Sequence, residues 1–262
     1  MSERPPAGAT FIKLAWCCLL ASVIMAALLF PVVGGLGLVS NRASDVVANG
    51  SAQLVEGQVP AVTTMVDAKG NTIAWLYSQR RFEVPSDKIA DTMKLAIVSI
   101  EDKRFAEHNG VDVQGTLTGL AGFIRGDADT RGGSTIEQQY VKNYQLLVLA
   151  QTDAEKRAAV ETTPARKLRE IRMALTLDKT FTKPEILTRY LNLVSFGNGA
   201  FGIQDAAQTY FGIDASALNW QQSALLAGLV QSTSTLNPYT NPDGALARRN
   251  LVLDTMIENL PD

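Results

Sequence analysis

The chain has 262 residues, a net charge of −2, and 46% hydrophobic against 19% charged residues. That balance excludes a disordered chain and a polybasic nucleic-acid binder. The single histidine, His108, excludes a multi-histidine metal centre, and the adjacent Cys17 and Cys18 leave no Cys-x-x-Cys site and no disulfide framework.

Residues 14–41 carry no charged side chain. A spanning helix needs about 20 apolar residues, whereas a cleaved signal has an apolar region of about 7–15. The run is too long for the second and lacks a small-x-small cleavage site. Trp16 stands where a lipoprotein signal needs a small residue before Cys17. One uncleaved transmembrane helix is therefore expected over 14–40, after a tail at 1–13. Arg4 and Lys13 precede the span against Glu3 alone, so the tail is cytoplasmic and the remainder lies outside the membrane. With these three set aside, 22 basic and 25 acidic residues remain, a net −3 beyond the span. Anionic lipid cannot be attracted by overall charge.

Residues 41–85 read as a stalk and a β-hairpin. Two β-prone runs, 62–66 and 72–77, flank the turn-forming Asp67-Ala-Lys-Gly-Asn71. Residues 86–262 read as a mainly α domain, with little strand signal after residue 80. Residues 88–100 have helical spacing and lead into Glu101. Residues 117–124 are apolar but too short to span, and fit either a core helix or a segment dipping into the membrane surface. Ser134-Thr-Ile-Glu137 fits a capping box. Thr163-Pro164 fits a capped start with proline in the first turn. Thr182-Lys-Pro-Glu185 is a second capping box, and Asn219 caps the next apolar run. Asn237-Pro238 and Asn241-Pro242 mark turns.

Four segments carry residues suited to chemistry. In Glu101-Asp102-Lys-Arg-Phe105-x-x-His108 a carboxylate follows an apolar run, where burial raises its basicity. In Gly132-Gly133-Ser134-Thr135-x-x-Gln138-Gln139-x-x-Lys142-Asn143, glycines precede a helix start, and free amides there suit an anion. Arg166-Lys167-x-x-Glu170 sets cations beside a second carboxylate, although an i,i+4 surface pair is the ordinary outcome. The segment from Lys183 to Asn192 most naturally builds core.

In this order the segments resemble the glycosyltransferase domain of class A penicillin-binding proteins and of monofunctional peptidoglycan glycosyltransferases, family 51. The fifth motif appears as Arg248-Arg-Asn-x-Val-Leu253, and Ala206-Ala-Gln-Thr-Tyr-Phe-Gly212 and Ala224-Leu-Leu-Ala-Gly228 also match. The insert between Asn143 and Pro164 is similar to actinobacterial bifunctional members. The resemblance implies a lysozyme-like helical fold with a membrane-touching jaw subdomain. It implies polymerisation of lipid II into β-1,4 glycan strands outside the cytoplasmic membrane, with inversion and release of undecaprenyl diphosphate.

By the same resemblance Glu101 is the general base and Glu170 the second catalytic carboxylate. Lys142, Arg166 and Lys167 are expected at the diphosphate. Asp102, Phe105, Gly133, Ser134, Thr135, Gln138, Gln139 and Asn143 are expected around the substrate. No organic cofactor is implied, while a divalent cation such as Mg²⁺ suits a diphosphate. Lipid II, the growing strand, the membrane and other cell-wall synthesis proteins are the expected partners, with no nucleic acid. Thr118 replaces an arginine common in the family, Glu137 replaces a threonine, and Lys156 or Arg157 could stand in for an arginine of the insert. Neither Ser-x-x-Lys nor Lys-Thr-Gly occurs, which leaves no penicillin-acylated serine; a truncated bifunctional protein is expected over a monofunctional one. The rival readings are a lysozyme-like glycan-cleaving enzyme and a non-catalytic membrane-tethered scaffold. A Ser-His-Asp hydrolase is disfavoured, because no Gly-x-Ser-x-Gly elbow exists.

Overall fold

A computed structural model describes Leu54, Gly57 and residues 59–115 and 133–260. The expected membrane span at 14–40 and the apolar segment at 117–124 lie outside the described residues. Among the described residues, no helix is long and apolar enough to cross a membrane.

The hairpin forms as expected. Strands β1 (Thr63–Val66) and β2 (Thr72–Leu76) pair antiparallel with Thr63 opposite Leu76. Asp67 shapes the turn, because its Oδ1 accepts from the amides of Lys69 and Asn71 at 2.8 and 2.9 Å. Immediately after it, Arg81 is fully buried. Its guanidinium donates to the carbonyls of Pro60 and Leu193 at 2.7 and 3.1 Å and to Gln79 Oε1 at 2.7 Å.

The weak strand signal after residue 80 hides a second small sheet. Strand β3 (Arg80–Arg81) runs parallel to β5 (Ala200–Phe201), which pairs antiparallel with β4 (Ser195–Gly197). Strands of two or three residues are too short to show an alternating pattern.

Eight helices build the rest of the described domain: α1 (Asp91–Glu101), α2 (Ile136–Tyr144), α3 (Asp153–Val160), α4 (Pro164–Thr180), α5 (Lys183–Leu193), α6 (Ile203–Phe211), α7 (Trp220–Leu229) and α8 (Pro242–Glu258). A π-helical turn, Gln145–Leu149, follows α2. Three start signals read from the sequence are present. Thr163 caps α4, with Pro164 in its first turn. Thr182 and Glu185 form the capping box of α5. Asn219 caps α7, with Gln222 completing its box. Asn241 does more than mark a turn: it caps α8, accepting from the Gly244 amide at 3.1 Å.

One start signal is corrected. Ser134 and Glu137 do not form a capping box. Thr135 is the cap of α2, and its hydroxyl accepts from the Gln138 amide at 3.3 Å. Glu137 is fully buried and bonds Lys183, 46 residues away, at 2.6 Å. A long-range ion pair outcompetes the local pattern.

The core has two helical groups. Helix α1 packs with α7 and α8 through Met93, Ala96, Ile97 and Ile100 against Leu226, Val252 and Met256 on that side. Helix α2 packs on α4 and α5, where Ile136, Tyr140, Val141, Met173, Leu177 and Tyr190 are buried. The loop after α1 closes onto α4 at Gly110. Its φ is +81°, and a Cβ there would stand 2.8 Å from the Ala174 carbonyl oxygen. The Gly110 carbonyl in turn accepts from Thr135 Oγ at 2.8 Å. This contact fixes the end of α1 relative to the start of α2, and so positions the two motif segments that carry chemistry.

Candidate active site

Glu101 is the last residue of α1. Its Oε2 accepts from Gln139 Nε2 at 2.8 Å, and Gln139 Oε1 accepts from the Tyr190 hydroxyl at 2.9 Å. Tyr190 is fully buried, and burial beside Glu101 and Asp102 holds its hydroxyl well above the usual phenol range. It therefore stays a donor, and it fixes which way the Gln139 amide points. Burial pushes the Glu101 carboxyl up from the ordinary carboxylate range. The Gln139 hydrogen bond and the charges of Arg248 and Lys142 hold that rise back, while Asp102 adds to it. A carboxylate with raised basicity and one oriented oxygen suits proton abstraction.

Arg248, on α8, packs across α7 at Gly228 and adds its charge to the surroundings of Glu101. A Cβ at Gly228 would stand 3.0 Å from Arg248 Cγ. Arg248 was legible only as part of the fifth motif, and Tyr190 only as part of the fourth.

Lys142 lies one turn beyond Gln139 on α2. The two, with Asn143, line one side of a cavity of about 270 Å³. Among the described residues no ion-pair or hydrogen-bond partner of the Lys142 ammonium is found. Asn143 Nδ2 donates to the Gln139 carbonyl at 2.8 Å. The other wall is formed by Val194, Ser195 and the segment 230–234. Sequence reasoning missed that segment because it holds no charged residue.

Arg166, Lys167 and Glu170 form a separate cluster on α4. Glu170 is 3% exposed; Arg166 reaches one of its oxygens and Lys167 the other, each at 2.5 Å. Lys167 also donates to Ser134 Oγ at 2.8 Å and Gln138 Oε1 at 2.9 Å. The i,i+4 pair expected as the ordinary outcome is thus present, and it is tied to α2 as well. Ser134 and Gln138 serve here as acceptors for Lys167, beside the Gly133 turn. Lys156 and Arg157 stand on α3, exposed.

Asp102, Phe105 and Thr135 are buried framework around Glu101. Asp102 accepts from the Ile136 amide at 3.0 Å and from His108 Nε2 at 2.9 Å. Hydrogen bonding to Asp102 raises the His108 pKa, against the lowering effect of burial. The Phe105 ring lies 4.7 Å from Lys183 Nζ, a cation–π contact. Asp102, His108 and Glu137 each place one potential ligand atom within 4.8 Å of the others. With His108 on Asp102 and Lys183 bridging Glu137 and Asp178, this group is a buried charge network that locks the end of α1 to the starts of α2 and α5. Removing one member of a buried pair costs about 3–5 kcal/mol. Lys183→Met is expected to lower unfolding stability by roughly that amount in urea denaturation, and adding Glu137→Thr is expected to restore most of it.

One carboxylate with raised basicity, a nearby cation and a polar cavity now lie on one side of the molecule. Residues 69–257 match the transglycosylase family. The chain belongs to that family. Among its relatives, penicillin-binding protein 1A/1B of Bacillus subtilis is 36% identical over 86% of this chain and 23% of the relative. Penicillin-binding protein 1A of Streptococcus pneumoniae is 39% identical over 78% of this chain and 27% of the relative. Penicillin-binding protein 1A of Escherichia coli is 35% identical over 80% and 24%. The transglycosylase chain spans about a quarter of the length of these curated relatives.

Proposed function

We propose that this transglycosylase chain is a peptidoglycan glycosyltransferase that polymerises lipid II into β-1,4 glycan strands. The observation that carries the reading is the pairing of Glu101, raised in basicity and aimed by Gln139, with the uncommitted Lys142. The leaving group, a lipid diphosphate, is a weak base. It needs its developing charge neutralised, not a proton donated. Lys142 supplies that charge from the last turn of α2. The acceptor's sugar 4-hydroxyl does need to lose a proton, and Glu101 receives it as the new bond forms on the face opposite the departing diphosphate. The anomeric configuration inverts from α to β.

Glu170 distinguishes this reading from glycan cleavage. A cleaving enzyme of the two-carboxylate kind requires a protonated acid at an alkoxide leaving group. Both Glu170 oxygens are bonded to cations, an arrangement suited to a carboxylate that positions Arg166 and Lys167, not to a proton donor. Among the described residues, Glu101 has one oxygen held by Gln139, and Glu170 has both held, by Arg166 and Lys167. Mg²⁺, where bound, would neutralise charge on the diphosphate.

The reading places the chain in the cytoplasmic membrane by a single helix at 14–40, N-terminus inside and the catalytic domain outside, working beside other cell-wall synthesis proteins. The test supplies labelled lipid II in detergent to the full chain, with and without moenomycin, and finished peptidoglycan in a parallel reaction. Strands made from lipid II and blocked by moenomycin are the expected result. Fragments released from peptidoglycan, with no strands made, would overturn it.

A further inference from the structure

A second cavity, of about 920 Å³, lies at the far end of α1 and shares no lining residue with the one beside Lys142. Lys88, on its rim, stands just before the first residue of α1, and Glu101 is the last. Eleven helical residues span about 16 Å. On one side of the cavity Trp75 of β2 meets Phe82 edge-to-face, with ring centres 5.6 Å apart, yet remains 48% exposed. The indole is held, and nearly half of its surface stays open. The other side is α6. Asp205 is 1% exposed there, and Arg80 Nε lies 2.7 Å from its Oδ1. Arg80 and the Phe201 amide stabilise the buried charge. Among the described residues, Asp205 Oδ2 is buried without a hydrogen-bond partner. Arg80 Nη2 also donates to Thr209 Oγ1 at 2.6 Å, which leaves the threonine proton available to donate. Gln204 Nε2 and Gln208 Nε2 both donate to Asp214 Oδ1, at 2.8 and 3.0 Å. The Gln208 amide is thereby oriented, with its Oε1 an open acceptor.

A buried oxygen left unsatisfied costs stability until something donates to it, so Asp205 favours a ligand that brings hydroxyl or N–H groups. The lining carries two cations, Arg80 and Lys88, against two carboxylates, Asp205 and Asp214. That balance disfavours a phosphate, which calls for an excess of cations. An extended peptide is read by pairing with a free strand edge, whereas the polar wall here is the side of a helix, whose backbone is already bonded. What remains is a neutral ligand with one apolar face and a rim of hydroxyls and amides. We propose that this cavity is a second, non-catalytic saccharide site: Trp75 carries the apolar face of an N-acetylated sugar, and Asp205, Thr209 and Gln208 bond its hydroxyl and acetamido groups. The site goes beyond the glycosyltransferase reading, because it uses no residue around Glu101 and needs no turnover.

The test titrates the full chain in detergent with the tetrasaccharide of N-acetylglucosamine, an uncharged probe without a diphosphate, by isothermal titration calorimetry. The free pentapeptide stem of lipid II is titrated in parallel. The wild type is expected to bind the tetrasaccharide and not the peptide. Trp75→Ala is expected to weaken sugar binding about 10-fold or more, the loss of an aromatic anchor. Trp75→Tyr keeps a platform and is expected to lose little. Gln208→Ala removes one hydrogen bond and is expected to cost about 3–10-fold. Trp75 and Gln208 are both exposed, and circular dichroism checks that the variants fold. No sugar binding, sugar binding unchanged in Trp75→Ala, or binding of the peptide in place of the sugar would overturn the site. Failure of the wild type to polymerise lipid II would overturn the glycosyltransferase reading alone.

Discussion

Glu101→Gln is expected to reduce strand formation from lipid II by about 10²–10⁴-fold, the usual contribution of a general base. The glutamine keeps the shape of the side chain, and its carbonyl can still accept from Gln139. It removes a buried charge, so circular dichroism and thermal unfolding should match the wild type. Activity near wild-type level in a folded variant would refute the assignment. The pH profile checks the same residue independently. A base works deprotonated, so kcat/KM rises with pH through the Glu101 pKa. Burial raises that pKa, which places the acid limb above the range of an ordinary carboxylate. The Gln139 hydrogen bond opposes the rise, so Gln139→Leu is expected to move the limb to higher pH still.

Lys142→Met carries the second large effect, a fall in kcat of about 10²–10³-fold. That is the loss found when one preorganised group that stabilises developing charge is removed. The side chain has no described protein partner, so its loss breaks no internal bond, and stability should hold. Lys142→Arg keeps the charge with a different geometry and is expected to recover part of the rate. A fall in kcat with little change in KM would mark a contact made chiefly in the transition state. An unchanged kcat would remove Lys142 from the chemistry.

What was legible in the sequence follows from range. The turn of the hairpin and the caps at Thr163, Thr182 and Asn219 depend on neighbours within four residues, and each formed as read. Ser134 and Glu137 matched an equally good local pattern, yet Lys183 claimed Glu137 and Lys167 claimed Ser134 from other helices. Glu101 could be suspected from the apolar run before it, but nothing in the spacing says that Gln139 lies against it. That placement depends on Gly110 closing onto α4, a contact between residues 64 apart. Motif resemblance put Gln139 at the substrate, and its contact with Glu101 appears only in the fold. The loop at 231–234 carries only hydroxyls and an amide, which in a sequence look like any surface turn. Its place on the cavity wall with Lys142 becomes visible only in the fold.

The clamp at Arg81 has a mechanical consequence. Because one guanidinium grips the Pro60 and Leu193 carbonyls together, the twenty residues between Pro60 and Arg81 form a side loop whose two feet are drawn together at the end of α5. Tension arriving along the backbone from the N-terminal direction would pass from Pro60 through that stitch into the end of α5. The hairpin would stay slack, and the helix that presents Glu101 would be shielded from the pull.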